Sequence, residues 1–145
     1  MKKTIYIFLL VIIISCTSDD IQTTDPIIGV WNTTGSFTGD NGITSDFETT
    51  LTYSSSGSAT NESIFTGDFN QDGVIETNEF SIDFTWENAS PSLDYSILSQ
   101  TYNISTPNSQ TGEINVTSTI WEFDEDYDTA ISTQQNGQVL TWKRK

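Results

Sequence analysis

Short runs in which apolar side chains recur at every second position constrain this sequence more than any other feature. The clearest runs are Phe47 to Tyr53, Phe80 to Trp86 and Ile114 to Ile120. A period of two is typical of a β-strand that buries one face, and no segment after the N-terminal region sustains a helical period. The pattern predicts an all-β fold, and we expect the alternating apolar side chains of all three runs to face its core.

Weaker strand candidates occupy much of the remaining chain. They are residues 27–32, 59–66, 94–104, 128–133 and 138–143. Turn clusters such as Gly39-Asp40-Asn41-Gly42 and Asn136-Gly137 separate the candidates. About eight short strands in one domain predict a small antiparallel barrel or a two-sheet sandwich. The aromatic residues expected to supply the core are Trp31, Trp86, Trp121, Trp142, Phe37, Phe47, Phe65, Phe80, Phe84 and Phe123.

The N-terminal region is organised as a secretion signal. Lys2 and Lys3 precede an apolar stretch at residues 5–14. About ten apolar residues are too few for a membrane-spanning helix, which needs about twenty. The following Ile13-Ile14-Ser15-Cys16 resembles a bacterial lipobox, and in that family the signal peptide is cleaved before a cysteine that is then lipidated. Residues 1–15 are therefore predicted to be a lipoprotein signal peptide; the alternative is an ordinary signal peptide that contains a cysteine.

The lipobox resemblance implies a cellular location for the protein. Cys16 is the only cysteine, so no internal disulfide is possible. Several acyl chains on one residue anchor a protein stably in a membrane. We expect residues 16–25 to be the lipidated cysteine and a flexible tether at the outer membrane. Ser18-Asp19-Asp20 resembles the acidic mark of surface-exposed lipoproteins but equally suits a solvated linker, so the side of the membrane stays open.

Composition excludes several functional classes. The net charge is −15 in 145 residues, which makes a nucleic-acid partner untenable. The chain has no histidine, so histidine-based catalytic triads and the usual zinc sites are excluded. Acidic residues are plentiful, but nothing in the sequence places two of them across a cleft for hydrolysis. We therefore predict that the protein is not an enzyme.

Residues 68–79 have the spacing of a calcium-binding loop. Such a loop supplies oxygen ligands from its first, third, fifth, seventh, ninth and twelfth positions, with glycine at the sixth. The residues at the six ligand positions are Asp68, Asn70, Asp72, Val74, Glu76 and Glu79. Val74 would contribute its backbone carbonyl, and Gly73 occupies the glycine position. The pattern predicts a Ca²⁺ site.

The twelve residues of this loop resemble an EF-hand loop, but their flanks do not. Gly67 stands directly before the loop, and the alternating run from Phe80 to Trp86 follows it. Both flanks favour strands over the helices of an EF-hand. We expect an EF-hand-like ligand set held between strands; the alternative is an acidic hairpin turn, because Asp72-Gly73 is itself a strong turn signal.

A second resemblance concerns the two ends of the predicted β-domain, residues 26–145. Gly29-Val30-Trp31 resembles the Gly-x-Trp signature on the first strand of lipocalins. In that family a basic residue late in the barrel packs across this tryptophan, and Arg144 or Lys143 is in the matching place. The resemblance is closest to the short lipocalin-like domains of bacterial lipoproteins and implies a lipocalin-like barrel.

These observations predict a cell-envelope lipoprotein that acts as a binding module with a calcium-stabilised loop. Its partner would be a small apolar molecule inside the barrel or another surface molecule near the loop. The alternative is a structural or interaction protein of the outer membrane surface without a ligand pocket. An apolar cavity would favour the binding module.

Overall fold

A computed structural model describes residues 24–39, 42–90, 94–95 and 97–145. The predicted signal peptide, Cys16 and the tether up to residue 23 lie outside the described residues. Eight antiparallel strands close into an up-and-down barrel in chain order. The strands are β1 (Gly29–Thr38), β2 (Thr44–Tyr53), β3 (Ser58–Gly67), β4 (Glu76–Asn88), β5 (Ser99–Pro107), β6 (Ile114–Phe123), β7 (Thr129–Gln134) and β8 (Val139–Arg144). The structure confirms an all-β, lipocalin-like eight-stranded barrel over the alternative of a sandwich.

No helix occurs in the part of the chain that the structure describes. That part accordingly contains no helix long and apolar enough to cross a membrane. The closed barrel is complete within residues 24–145, because each strand pairs with its two neighbours in the ring. We therefore expect these residues to fold as a unit.

The turns between the strands follow the glycine signals in the sequence. Gly137, in the predicted Asn136-Gly137 hairpin, has a φ of 83°. Its N–H donates to the carbonyl of Gln134, which closes the turn between β7 and β8. Glycine reaches this left-handed region without the strain that a β-carbon would add.

The barrel consists of two four-stranded halves that meet along two short seams. Strands β1 to β4 pair over most of their lengths, as do β5 and β6, and the shorter β7 and β8 pair with their neighbours over nearly all of theirs. Across the first seam, β4 pairs with β5 only from Thr85 to Asn88. Across the second seam, β1 pairs with β8 only at Trp31 and Asn32. Both seams lie near the same end of the barrel, which we call the closed end; at the other end, the mouth, the halves diverge.

An aromatic cluster fills the closed end. Trp31 packs edge-on against Trp121 with ring centroids 5.5 Å apart, and Trp121 stacks on Trp142 at the same distance. Tyr53 packs edge-on against Phe84. These rings are buried, and burying an aromatic side chain contributes more apolar area than burying any aliphatic one. The core therefore lies at this end of the barrel.

Two of the expectations about the core are wrong. The apolar side chains of β6 at Ile114, Val116 and Ile120 are 60%, 58% and 45% exposed, because they lie on the outer face of the barrel. The inner face of β6 begins with polar residues and reaches the core only at Trp121. In addition, Phe37 and Phe80 are about half exposed, since they lie near the mouth rather than in the core.

A buried polar network seals the closed end. The Asp25 carboxylate accepts hydrogen bonds from the Tyr102 hydroxyl at 2.6 Å and from the Asn88 amide at 2.9 Å. Asn88 also donates to Gln100, which is 1% exposed. Asp25 is therefore part of the fold, although the sequence places it at the end of the tether. Among the described residues, every buried side-chain polar atom has a hydrogen-bond partner.

Arg144 ties the C-terminal strand to the start of β1. Its guanidinium lies 4.4 Å from the ring centroid of Trp31 and donates to the carbonyls of Pro26, Ile28 and Tyr127. Arg144, rather than Lys143, is thus the basic residue over the first-strand tryptophan. A β-carbon at Gly29 would lie 2.7 Å from the guanidinium, which explains why glycine stands at this position.

Candidate functional site

The barrel encloses a cavity of about 780 Å³. It reaches from Trp121 and Trp142 above the aromatic core to the β7–β8 turn at the mouth, where Asn136 lines it. A volume of this size lies within the range of about 300–1,000 Å³ typical of small-molecule sites. The cavity can therefore hold a small organic molecule inside the barrel.

The first half of the barrel, β1 to β4, gives the cavity a largely apolar wall. The apolar side chains of this wall are Phe37, Phe47, Leu51, Tyr53, Phe65, Phe80, Ile82 and Phe84, and three polar residues, Thr49, Asn61 and Ser63, lie among them. The ring of Phe47 lies across Gly35, where a β-carbon would stand only 2.8 Å from it. Phe37 contacts both Phe47 and Phe65, with ring centroids 6.5 Å and 6.3 Å apart. The result is a broad aromatic surface beside the mouth.

The second half, β5 to β8, gives the opposite wall a polar character. The polar residues that line it are Thr106, Thr117, Ser118, Thr119, Ser132, Gln134, Gln135, Asn136 and Gln138, and the apolar ones are Ile104, Trp121, Leu140 and Trp142. The Ser132 hydroxyl is 2.8 Å from the indole N–H of Trp142, from which it accepts a hydrogen bond. Thr117 and Thr119 make no side-chain hydrogen bond to any residue that the structure describes. Their hydroxyl groups are therefore available to a ligand.

Tyr53 provides a polar group at the apolar wall. The residue is 4% exposed and lines the cavity, and its hydroxyl has no hydrogen-bond partner among the described residues. Since no fully buried side-chain polar atom of the described residues lacks a partner, this hydroxyl must retain some accessible surface. Burial raises the pKa of the Tyr53 phenol above its ordinary value, so the group keeps its proton at neutral pH and can donate a hydrogen bond.

No acidic or basic side chain of the described residues lines the cavity. This contrasts with the outer face of the first half, which carries Asp46, Glu48, Glu62 and Asp83 toward solvent. The interior is therefore electrically neutral inside a strongly acidic protein. Any ligand held there must be recognised by shape, apolar contact and hydrogen bonds.

The predicted calcium loop forms the β3–β4 hairpin at the mouth. The Asp68 carboxylate accepts hydrogen bonds from the N–H groups of Asp72 and Gly73 at 3.0 Å and 2.9 Å. The Asn70 amide donates to the carboxylates of Asp72 and Glu76, both at 3.2 Å. Gly73 has a φ of 85°, the left-handed conformation that the glycine position of the pattern requires. The loop thus brings together four of the predicted ligand side chains.

The structure does not bring Glu79 to this group. Glu79 pairs with Ile64 inside β4, three residues beyond Glu76, which pairs with Gly67 at the start of the strand. Residues an odd number apart along a strand point to opposite faces, and three residues span about 10 Å. Within the described residues, no group of three or more acidic, cysteine or histidine side chains is arranged to hold a metal ion. Binding through Glu79 would require the beginning of β4 to separate from β3.

Sequence reasoning missed the polar wall and the polar network at the closed end. Thr117 and Thr119 alternate with Val116 and Ser118, but the apolar residues of this run were assigned to the core. The missed signal is a hydroxyl at every second position, which marks a strand facing a polar cavity as well as one facing solvent. The contact between Asp25 and Tyr102 joins residues 77 positions apart and has no local signature.

Comparison with protein-family models, with curated proteins and with solved structures finds no match for this chain.

Proposed function

We propose that this protein is a lipid-anchored binding protein of the cell envelope whose barrel holds a small, largely apolar molecule. The observation that carries the proposal is the cavity of about 780 Å³ with an aromatic wall at the mouth. A closed barrel that needed only to be stable would fill its interior with side chains, because empty volume lowers stability. The predicted anchor at Cys16 would hold the barrel at the outer membrane, where apolar molecules partition.

A matched pair of substitutions tests the cavity as the site. Thr119 faces the cavity, and Ile120, the next residue of β6, faces solvent. In residues 24–145, Thr119→Trp should narrow the cavity and weaken saturable binding of apolar fluorescent probes, whereas Ile120→Trp should leave binding unchanged. The panel should include neutral, anionic and cationic probes. Absence of saturable binding across the whole panel in the parent protein would overturn the proposed function.

Ca²⁺ at residues 68–79 is a second part of the proposal. Asp68, Asn70, Asp72 and Glu76 would hold the ion through their side-chain oxygens, together with the Val74 carbonyl. Neutralising converging carboxylates by a bound cation relieves their mutual repulsion and rigidifies the loop. The loop borders the cavity mouth, so calcium would stabilise one side of the ligand's entrance.

Calorimetric titration with Ca²⁺ tests the loop. One ion per chain is expected for the parent, and Asp72→Asn should weaken its binding by at least about tenfold, since ligand charge sets much of the affinity. Glu79→Gln measures whether the twelfth position takes part: equal loss in both variants indicates the full EF-hand-like ligand set, and loss in Asp72→Asn alone indicates a site made by residues 68–76. Absence of calcium binding in the parent would identify the loop as an acidic hairpin.

The alternative function is a structural or interaction protein of the outer membrane surface. Its supporting observation is the exposed apolar face of β6 at Ile114, Val116 and Ile120. Exposed apolar patches often mark protein interfaces. This function predicts that the barrel binds no small probe and that Val116→Ser abolishes a protein association. Sedimentation of the parent and the variant across a range of concentrations measures self-association.

A further inference from the structure

The electrostatics of the cavity limit the ligands that it can take. Its described lining contains no acidic or basic side chain, so an ionic group carried inside would lose its hydration without gaining a partner. The net charge of −15 adds a long-range repulsion of anions. A negatively charged ligand therefore meets two obstacles: the field outside the barrel and the uncharged lining within it.

None of the basic residues in the described part of the chain is placed to pair with an anion inside the cavity. Arg144 is committed to three backbone carbonyls and to the ring of Trp31 at the closed end. Lys143 lies on the outer face of β8, and Lys145 is exposed beside Thr50 on the outer face of β2. A carboxylate or sulfonate in the cavity would have no described cation to pair with.

The two walls of the cavity are complementary to different chemical groups of a ligand. The β1–β4 wall offers apolar rings and branched side chains, among them Phe47, Phe65 and Ile82. The β5–β8 wall offers hydroxyl and amide groups, among them Thr117, Thr119 and Gln134. A ligand that is apolar on all sides would leave the second wall without hydrogen bonds, and an entirely polar one would gain little from the first.

We infer that the cavity selects an uncharged, two-faced organic molecule, with an apolar surface against the β1–β4 wall and hydrogen-bonding groups against the β5–β8 wall, and that it rejects organic anions. The inference rests on the proposed function and names its ligand class. Tyr53 is the positioning group on the apolar side, because its hydroxyl lies in a side chain that lines the cavity and has no hydrogen-bond partner among the described residues. It would donate to an acceptor such as a carbonyl oxygen of the ligand. Simple fatty acids, whose carboxylates are ionised at neutral pH, fall outside this class.

Two dyes that share a skeleton and differ by one charged group test the selection. N-phenyl-naphthylamine is uncharged, and anilinonaphthalene sulfonate carries the same ring system with a sulfonate. With residues 24–145, the uncharged dye should bind saturably and the sulfonate at least about tenfold more weakly. The difference should persist in high salt, because the uncharged lining acts at short range while the field of the whole protein is screened.

The outcomes separate this inference from the proposed function. Equal or tighter binding of the sulfonate would overturn the selection of uncharged ligands and leave the cavity as a binding site. Failure of both dyes, together with failure of the wider probe panel, would overturn the proposed function and this inference with it. Equal binding of the uncharged dye by Thr119→Trp and Ile120→Trp would place the dye outside the cavity and overturn both.

Tyr53→Phe tests the positioning group with a dye that carries an acceptor. Propionyl-dimethylamino-naphthalene is an uncharged ketone, whereas N-phenyl-naphthylamine has no carbonyl. The variant should weaken ketone binding by about five- to tenfold and leave binding of the amine unchanged, since only one hydrogen bond is removed. An equal change for both dyes would overturn the role of Tyr53. The melting temperature of the variant checks the fold, and because the hydroxyl has no described partner it should not fall.

Discussion

Strand β6 alternates in the opposite sense to strands β1–β4. In β1–β4 the apolar side chains point inward, as at Leu51 and Phe84, and acids such as Glu62 point to solvent. In β6 the order is reversed over most of the strand, with Val116 outside and Thr117 lining the cavity. Both halves satisfy the same period of two. Alternation therefore shows which residues share a face of the strand. Which face points inward depends on whether the barrel interior at that point is a packed core or a cavity.

The reversal is physically reasonable because the inner surface of the second half faces a cavity rather than a packed core. A threonine there can hydrogen-bond to water or to a ligand, so its burial carries no unsatisfied polar group. The outer isoleucines and valines still stabilise the strand through cross-strand contacts, for which β-branched residues are suited. The fold therefore tolerates inverted polarity toward the mouth, while the closed end retains an apolar interior from both halves.

Arg144→Leu should remove contacts between the first and last strands and cause the largest loss of stability. Three charge-assisted hydrogen bonds and the contact with Trp31 are lost, and three carbonyls near the closed end lose a donor. We expect a loss of about 3 kcal/mol in the free energy of unfolding, measured by urea denaturation. Lys143→Leu, one residue earlier on the outer face, is the matched control and should change it by less than about 0.5 kcal/mol. Equal losses in the two variants would contradict the role assigned to Arg144.

Phenylalanine-to-alanine changes on β4 compare the stability contributed by a core position and by a position near the mouth. Phe84 is 7% exposed and Phe80, four residues away on the same face, is 51% exposed. Phe84→Ala should cost about 3–4 kcal/mol of unfolding free energy and Phe80→Ala about 1 kcal/mol or less. The probe assay should respond in both, because both rings line the cavity. A cost at Phe80 as large as that at Phe84 would mean that the mouth is packed like the core.

Isoleucine-to-threonine changes compare the two halves directly, since both residues are β-branched and strand propensity is conserved. Ile82 lies on the inner face of β4, and Ile120 lies on the outer face of β6. Ile82→Thr should destabilise by about 1–2 kcal/mol and weaken probe binding, whereas Ile120→Thr should cost about 0.5 kcal/mol or less and leave binding unchanged. Thermal melting and dye titration measure both. A larger cost at Ile120 would show that its outer face is covered in solution.

Much of the fold is predictable from the sequence, because strands and turns leave local signals. The alternation at Phe47–Tyr53 and Phe80–Trp86 places two strands with the correct face inward, and Asn136-Gly137 places a hairpin. The strands extend further than the runs, because polar alternation at their ends leaves no hydrophobic signal. The inward face of β6 is not predictable from pattern alone, since Thr117 and Thr119 are compatible with solvent or with a cavity.

The site is predictable only in its local parts. The twelve-residue loop can be located because its predicted ligands are close in sequence, and its hairpin form follows from Asp72-Gly73. The position of Glu79 depends on where β4 begins, which the spacing of ligands does not determine. The cavity depends on side chains from both halves that meet only after the barrel closes. No local sequence pattern predicts that one wall of the cavity is rich in aromatic side chains and the other in polar ones.

The smallest effect concerns the acidic turn between β6 and β7, which contrasts with the predicted calcium loop of the first half. Asp124 accepts hydrogen bonds from the Thr129 hydroxyl at 2.6 Å and from the N–H groups of Asp128 and Thr129. These bonds, that from the Thr129 side chain above all, lower the pKa of the Asp124 carboxyl. The turn thus satisfies its carboxylate without a metal ion.

A lowered pKa in the folded state means that Asp124 stabilises the fold above its unfolded pKa of about 3.9 and that this contribution is lost as the pH falls through the folded value. Asp124→Asn should therefore lower the melting temperature slightly at neutral pH, and the difference from the parent should shrink as the solution is acidified below about pH 4. Asp126→Asn removes the same charge from the same turn at a side chain without a described hydrogen bond, and it should not show this loss. Equal shifts in the two variants would mean that net charge, rather than the hydrogen bonds to Thr129, controls the stability of the turn.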